Sequence, residues 1–112
     1  MKSNSYERNI AVVKALEDAR CNFGKLHSIE HHIYCFSEES FKNVIQSGIR
    51  LGYEIKYEGL VQGNDSCWQL DLVKSDYPSI DNIERHSIEV EAICAEYNAD
   101  YDGWGTEVEV LS

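Results

Sequence analysis

The order in which hydrophobic periodicity changes along this chain is the feature that most limits its fold. Apolar residues recur at helical or at strand spacing, and the two patterns follow one another as helix, strand, helix, strand, strand, helix, strand. After the first helix this is a βαββαβ order. It predicts an α+β, ferredoxin-like fold, with one antiparallel sheet and two helices on one face. The usual strand order of that fold, 4-1-3-2, would place the fourth strand beside the first.

Residues typical of helix ends and turns set the predicted boundaries. Asn4, with Glu7 three positions later, matches a capping box and predicts an extra N-terminal helix over about residues 4–22. A ferredoxin-like core over about residues 25–111 follows, and residues 1–112 are expected to form a single domain. The residues predicted to cap or end the three helices are Asn4 and Gly24, Ser37 and Gly52, and Ser79 and Asn98. The predicted strands are residues 26–36, 53–57, 67–73 and 101–111, with turns at Gly59 and Gly63-Asn64-Asp65.

Negative charge is in excess and is concentrated toward the C-terminal end. Ten Lys and Arg stand against twenty Asp and Glu, which gives a formal net charge of −10. No Lys or Arg follows Arg85, whereas seven acidic residues do. This sign disfavours direct contact with nucleic acid or an anionic membrane, since both are polyanions. It favours a basic protein partner, and plain solubility is the alternative explanation.

The four cysteines do not form a recognisable metal or redox motif. Cys21, Cys35, Cys67 and Cys94 contain no C-x-x-C pair and have no zinc-finger spacing to a histidine. The N-terminal residues lack the apolar stretch of a signal peptide, and no apolar run approaches the length of a membrane span. The sequence therefore predicts a cytoplasmic protein with reduced, buried thiols and with no metal or organic cofactor.

Strand periodicity predicts which side chains face away from the helices. On the first strand, Glu30 and His32 share the outer face, and His31 is expected to be a hydrogen-bonded histidine on the inner face. On the fourth strand, Trp104 is expected in the core, and strict alternation places Asp102 on the same face as Trp104. A bulge at one of the strand glycines would reverse this alternation on one side of it. The fourth-strand residues predicted to face outward are Tyr101, Gly103, Gly105, Glu107 and Glu109.

Three segments resemble the family of the regulator of ribonuclease activity B (RraB), and the resemblance extends from about Leu26 to Val108. These segments are Ile29-Glu30-His31-His32, Leu51-Gly52-Tyr53-Glu54, and Ala99-Asp100-Tyr101-Asp102-Gly103-Trp104-Gly105. The resemblance implies a ferredoxin-like fold and a non-catalytic protein, without a cofactor, that inhibits the endoribonuclease RNase E by contact with an arginine-rich region. Family members often end in a long acidic tail, which this sequence lacks.

The resemblance therefore implies a non-catalytic protein that regulates RNA turnover by binding and inhibiting RNase E. A divergent RraB-like module with a different basic partner is the first alternative. A small hydrolase using Glu30, His32 and Asp102 is the second. An enclosed pocket around these three side chains would favour the hydrolase, whereas an open acidic face would favour a binding protein. The candidate partner-binding residues are Glu30, His32, Tyr101, Asp102, Gly103, Gly105, Glu107 and Glu109.

Overall fold

A computed structural model describes residues 1–63 and 65–108. Asn64 of the predicted turn and residues 109–111 of the predicted fourth strand lie outside this part of the chain. The described residues form three helices and one four-stranded antiparallel sheet. The helices are α1 (Tyr6–Asp18), α2 (Glu38–Arg50) and α3 (Ile80–Glu96). The strands are β1 (His27–Cys35), β2 (Glu54–Leu60), β3 (Trp68–Asp76) and β4 (Asp100–Gly105).

The sheet has the predicted topology. Its strand order is β2-β3-β1-β4, with every neighbouring pair antiparallel, so β4 lies beside β1 as expected. The α+β, ferredoxin-like prediction with an additional N-terminal helix is confirmed. The alternation of residues on β3 predicts Trp68, Leu70 and Leu72 under the helices, with Gln69 and Asp71 opposite. Leu70 and Leu72 are buried under the helices, as predicted.

Two apolar clusters fill the space between the sheet and the helices. The larger one joins α2 and α3 to the middle of the sheet through residues such as Ile33, Val44, Leu72 and Val90. The smaller one fixes α1 beside α3, and it is built from Val13, Leu16, Cys21, Ile29, Ile83 and Trp104. Trp104 is 9% exposed, so the prediction that its ring belongs to the core is confirmed. All four cysteines are buried and free.

The caps of α2 and α3 follow the sequence, whereas those of α1 do not. Ser37 Oγ accepts a hydrogen bond from Ser40 N, and Ser79 Oγ accepts one from Asn82 N. For α1, the predicted Asn4 cap is wrong, because the N-cap is Ser5 and its side chain makes no capping bond. The backbone N–H groups of both residues instead donate to the carboxylate of Glu91 on α3. A tertiary contact thus replaces the local one.

The end of α1 also differs from the prediction. The helix stops at Asp18, well before Gly24. Arg20 takes the left-handed backbone conformation there, with φ of 60°. Its N–H donates to Glu17 O, and the N–H of Cys21 donates to Leu16 O. These bonds satisfy the last carbonyl groups of the helix without a glycine.

A bulge in β4 changes the side-chain alternation that the sequence predicted. His31 pairs with Trp104 and Ile33 pairs with Tyr101, so two residues of β4 oppose the single residue His32. Gly103 lies in this bulge with φ of +98°. Because of the extra residue, Tyr101 and Trp104 both face the helices and Asp102 faces outward. The predictions that Tyr101 faces outward and that Asp102 shares the face of Trp104 are both wrong.

The strand limits also differ from the predicted ones. β4 ends at Gly105, and residues 106–108 are not part of a strand. β2 continues to Leu60 through a second bulge between Lys56 and Gly59, so Gly59 lies within the strand and not in a turn. Tyr57, inside this bulge, has φ of 54°, which a non-glycine residue rarely adopts.

We expect Gly103→Ala to lower the free energy of unfolding by about 1–2 kcal/mol or more. An added Cβ would sit in a positive-φ conformation and would meet the Arg8 guanidinium. Urea unfolding followed by tryptophan fluorescence measures the change. Gly63→Ala is the matched control, since Gly63 has φ of +80° with open space around its Cα, so only the backbone strain applies there. A Gly103→Ala protein as stable as the wild type would contradict the observed bulge.

Candidate functional site

The outer face of the sheet is the face turned away from the two apolar clusters. Of the candidate residues, it carries Glu30, His32, Asp102 and Gly105. Directly paired residues in neighbouring strands share a face, so the register places Glu30 opposite Gly105 and Tyr34 opposite Asp100 on this side. Lys56, Asp71 and His32 lie in one row across β2, β3 and β1. The outer-face positions of β1 are half-buried or exposed, whereas every inner-face position of β1 is buried.

His32 and Asp71 form the central polar pair of the outer face. The His32 Nδ1–H donates to Asp71 Oδ1 over 2.9 Å. The histidine side chain is 41% exposed and the aspartate side chain 12% exposed. The carboxylate is therefore held in place by a neighbouring strand and partly shielded from water. Asp71 was predicted to face outward but was not predicted as a site residue. Its position on β3 opposite His32 depends on a register that the sequence does not define.

Two shallow grooves divide the outer face. The first groove has a volume of ≈ 350 Å³, and its polar and aromatic lining residues are His32, Tyr34, Tyr57, Gln69, Asp71 and Asp102. The second groove lies beside it, and its lining residues include Glu30, Lys56, Tyr57, Thr106 and Glu107. The Tyr57 side chain, 67% exposed, borders both grooves.

The three residues of the predicted hydrolase are not brought together. Asp102 lines the first groove with His32, but Glu30 lines the second. His32 bonds to Asp71, not to Asp102 or Glu30. Both grooves are open to solvent at exposed side chains, and such a setting does not exclude water as an acid–base site requires. The structure therefore does not support an acid–base site at Glu30, His32 and Asp102.

The remaining predicted residues fall into different environments. Gly105 lies on the outer face, where a Cβ would be 3.7 Å from His32 Nε2. Gly103 is covered by Arg8, so its missing side chain makes room for this chain's own arginine. Glu107 is exposed, and its carbonyl accepts a hydrogen bond from His27 Nδ1. Glu109 lies outside the described residues.

Under the outer face, a chain of buried hydrogen bonds crosses the core. Tyr101 Oη lies 2.7 Å from His31 Nδ1, His31 Nε2 lies 3.1 Å from His86 Nδ1, and His86 Nε2 lies 3.0 Å from Asp76 Oδ2. An ionised Asp76 can only accept, so His86 carries its proton on Nε2 and accepts at Nδ1. His31 then donates through Nε2 and accepts from the Tyr101 hydroxyl. Both histidines are neutral in this arrangement, which we call the buried relay.

Burial determines the titration of the buried relay. It lowers the pKa of His31 to about 3, with the neighbouring His86 adding to the effect. Burial also lowers the pKa of His86, although Asp76 opposes the change. Burial would raise the pKa of Asp76, but hydrogen bonds from Tyr77 N and His86, with the charge of Arg85, keep it below its usual value. These shifts maintain neutral histidines beside an ionised carboxylate.

The buried relay completes the prediction for His31. That residue is on the inner face and hydrogen-bonded, as predicted. His86 was not predicted as its partner. A signal for it was present, because His86 lies on the apolar stripe of α3 between Ile83 and Val90, at a helical spacing from both. Among the described residues, every buried side-chain nitrogen and oxygen has a hydrogen-bond partner. The buried relay therefore has a structural role, in which it satisfies the polar groups of the core.

Residues 1–63 and 65–108 contain neither a cluster of metal-ligating side chains nor a membrane-spanning helix. No group of three or more His, Cys, Asp or Glu side chains is placed there to hold a metal ion. None of the helices described is both long and apolar enough to cross a membrane.

Comparison with known proteins gives matches over most of the chain. A family model described as regulator of ribonuclease activity B matches residues 6–106. The protein of that description from Pantoea ananatis (strain LMG 20103) is 28% identical over 105 residues, covering 92% of this chain and 74% of the relative. The one from Pseudoalteromonas translucida (strain TAC 125) is 26% identical over 83 residues, covering 72% of this chain and 75% of the relative. The one from Escherichia coli (strain K12) is 26% identical over 105 residues, covering 92% and 75%.

Proposed function

The chain belongs to the regulator of ribonuclease activity B family, and from this premise we propose that it binds RNase E and inhibits its endoribonuclease activity. It acts by protein contact, without catalysing a reaction and without a cofactor. Residues 1–112 act as one unit in the cytoplasm, where the four free cysteines stay reduced. The outer face of the sheet is the contact surface.

The observation that carries this proposal is the charge of a sheet face that none of the described helices covers. The carboxylates of this face come from all four strands. Among the residues that the pairing of the described strands places on this face, Lys56 is the one lysine or arginine. A face of this sign attracts a basic protein segment and repels RNA, so regulation acts on the enzyme and not on its substrate. The carboxylates of this face are Glu30, Glu54, Asp71, Asp100 and Asp102.

We expect the double variant Glu30→Gln/Glu107→Gln to associate with RNase E more slowly and with a weaker dependence on salt. Both side chains line the second groove and steer a basic partner from a distance. Surface plasmon resonance at several salt concentrations gives the association rate, and cleavage of a test RNA gives the inhibition.

The matched control removes two charges elsewhere. Glu17 and Glu96 are exposed residues of α1 and α3, so Glu17→Gln/Glu96→Gln changes the net charge equally but leaves the outer face intact. Equal effects of the two double variants would mean that net charge alone matters and that the outer face is not the contact surface. If folded wild-type protein fails to bind the host RNase E at low salt, the RNase E proposal is wrong and a different basic partner replaces it.

A further inference from the structure

The first groove has the chemistry of a receptor for one arginine side chain. Two carboxylates, Asp71 and Asp102, and two phenol rings, Tyr34 and Tyr57, line it. None of its lining residues among those described is a lysine or arginine, whereas the neighbouring groove contains Lys56. The first groove is thus the part of the outer face where two carboxylates and two phenol rings line one groove without a lysine or arginine among the described lining residues.

The geometry of each group fits a guanidinium better than an ammonium. Asp71 is positioned by the 2.9 Å bond from His32, and the β4 bulge turns Asp102 onto the same side. A planar guanidinium can donate to such carboxylates in pairs of parallel bonds and can stack on a phenol ring. The ring of Tyr57 is large, apolar and 67% exposed, and its surface is available for stacking.

We propose that this groove binds an arginine side chain from a flexible segment of the protein partner, and discriminates it from lysine. The inference rests on the proposed function for the identity of that partner, but the groove can be examined without it. Single-stranded RNA, the other ligand that stacks on exposed aromatic rings, is disfavoured by the carboxylates.

The test uses the full chain labelled with ¹⁵N and two short synthetic peptides. One peptide is acetyl-Gly-Ser-Arg-Ser-Gly-amide and the other has lysine in place of arginine. In NMR titrations we expect the arginine peptide to shift the amide signals of His32, Asp71 and Asp102, with the lysine peptide binding about two- to fivefold more weakly. Equal binding of the two peptides, or shifts confined to other parts of the chain, would overturn the proposal. A single-stranded RNA octamer that shifts the same signals would also overturn it.

Two pairs of variants locate the site. Asp102→Asn should weaken arginine-peptide binding about fivefold. Its control, Asp18→Asn, alters an exposed carboxylate of α1 that neither lies on the sheet nor lines the groove, and it should leave binding unchanged. Tyr57→Asn removes the ring but tolerates the positive φ, and should weaken binding about two- to fivefold, whereas Tyr57→Phe should retain it. An Asp102→Asn or Tyr57→Asn protein that is folded and binds normally would refute the proposal.

Failure of this inference and failure of the proposed function give different results. If wild-type protein inhibits RNase E but does not bind the arginine peptide, the groove assignment is wrong and the function stands. If the peptide binds in the groove but RNase E does not bind, the groove assignment stands and the proposed partner is wrong. A dispersed amide spectrum of each variant establishes that it is folded. If the variant at Asp102 or at Tyr57 fails to fold, the other pair of variants still tests the proposal.

Discussion

Trp104→Ala is expected to lower the free energy of unfolding by about 3–5 kcal/mol. The indole lies in the smaller apolar cluster, which also contains residues of α1 and α3. Its Nε1–H also donates to Asn9 Oδ1 over 2.9 Å, and Asn9 is itself 1% exposed. Truncation therefore opens a cavity between β4 and the helices and leaves a buried amide oxygen without its donor. Urea unfolding followed by circular dichroism measures the loss.

Trp104→Phe separates the two contributions. It keeps most of the apolar volume but removes the donor to Asn9, so about 1–3 kcal/mol of destabilisation is expected. If Trp104→Ala costs less than about 1 kcal/mol, the ring does not join α1 to the sheet as described. A loss of α1 alone would appear as a reduced helical signal before the main transition.

The second large effect is a loss of stability in mild acid. His31 has a pKa of about 3 in the folded protein and 6.5 as its ordinary value, so between these pH values the unfolded chain binds a proton that the folded chain does not. Stability therefore falls as the pH drops below 6.5, by about 1.4 kcal/mol per pH unit at most from His31 alone. His86, whose pKa is also lowered, acts in the same direction. Asp76, whose pKa is lowered from 3.8, adds to the loss only in stronger acid.

Unfolding free energies at pH 7 and pH 5 test this expectation. His31 should account for a decrease of about 2 kcal/mol over that interval. His31→Gln should reduce the dependence on pH, at the cost of a lower stability at pH 7, because the bonds to Tyr101 and His86 are disturbed. His32→Gln is the control: its ring is 41% exposed and outside the buried relay, so the acid sensitivity should remain. A stability that is constant from pH 7 to pH 5 would show that the relay histidines are not neutral partners.

Much of this architecture is predictable because it depends on local patterns. Apolar periodicity gives the element order, and the order gives the strand arrangement. The serine caps of α2 and α3 are local as well, since Ser37 and Ser79 bond to residues three positions away. The start of α1 was mispredicted because its donors bond to Glu91, a residue 86 and 87 positions distant in the sequence.

The candidate site shows why one residue of register matters. The prediction of side-chain direction from alternation was correct for β1, because that strand is regular. Glu30 and His32 face outward there. It failed on β4, where the extra residue at the bulge exchanges the faces of Tyr101 and Asp102. The sequence indicated glycines at which a bulge could occur, but it did not show at which one the pairing shifts. For the same reason Asp71 was not predicted as the partner of His32, since cross-strand pairs depend on the register of the strands.

The bulge of β2 limits self-association of the protein through the edge of its sheet. β2 is an edge strand, and an edge with a regular row of unpaired N–H and C=O groups would allow a second copy to add its own strand and begin a fibre. The left-handed turn at Tyr57 and the shift at Gly59 interrupt that row near its centre. The β2 edge thus offers a second molecule no straight row of backbone groups along which to add a strand. The irregular edge limits pairing of strands between molecules, while the outer face, which no described helix covers, remains accessible to a partner recognised by side chains.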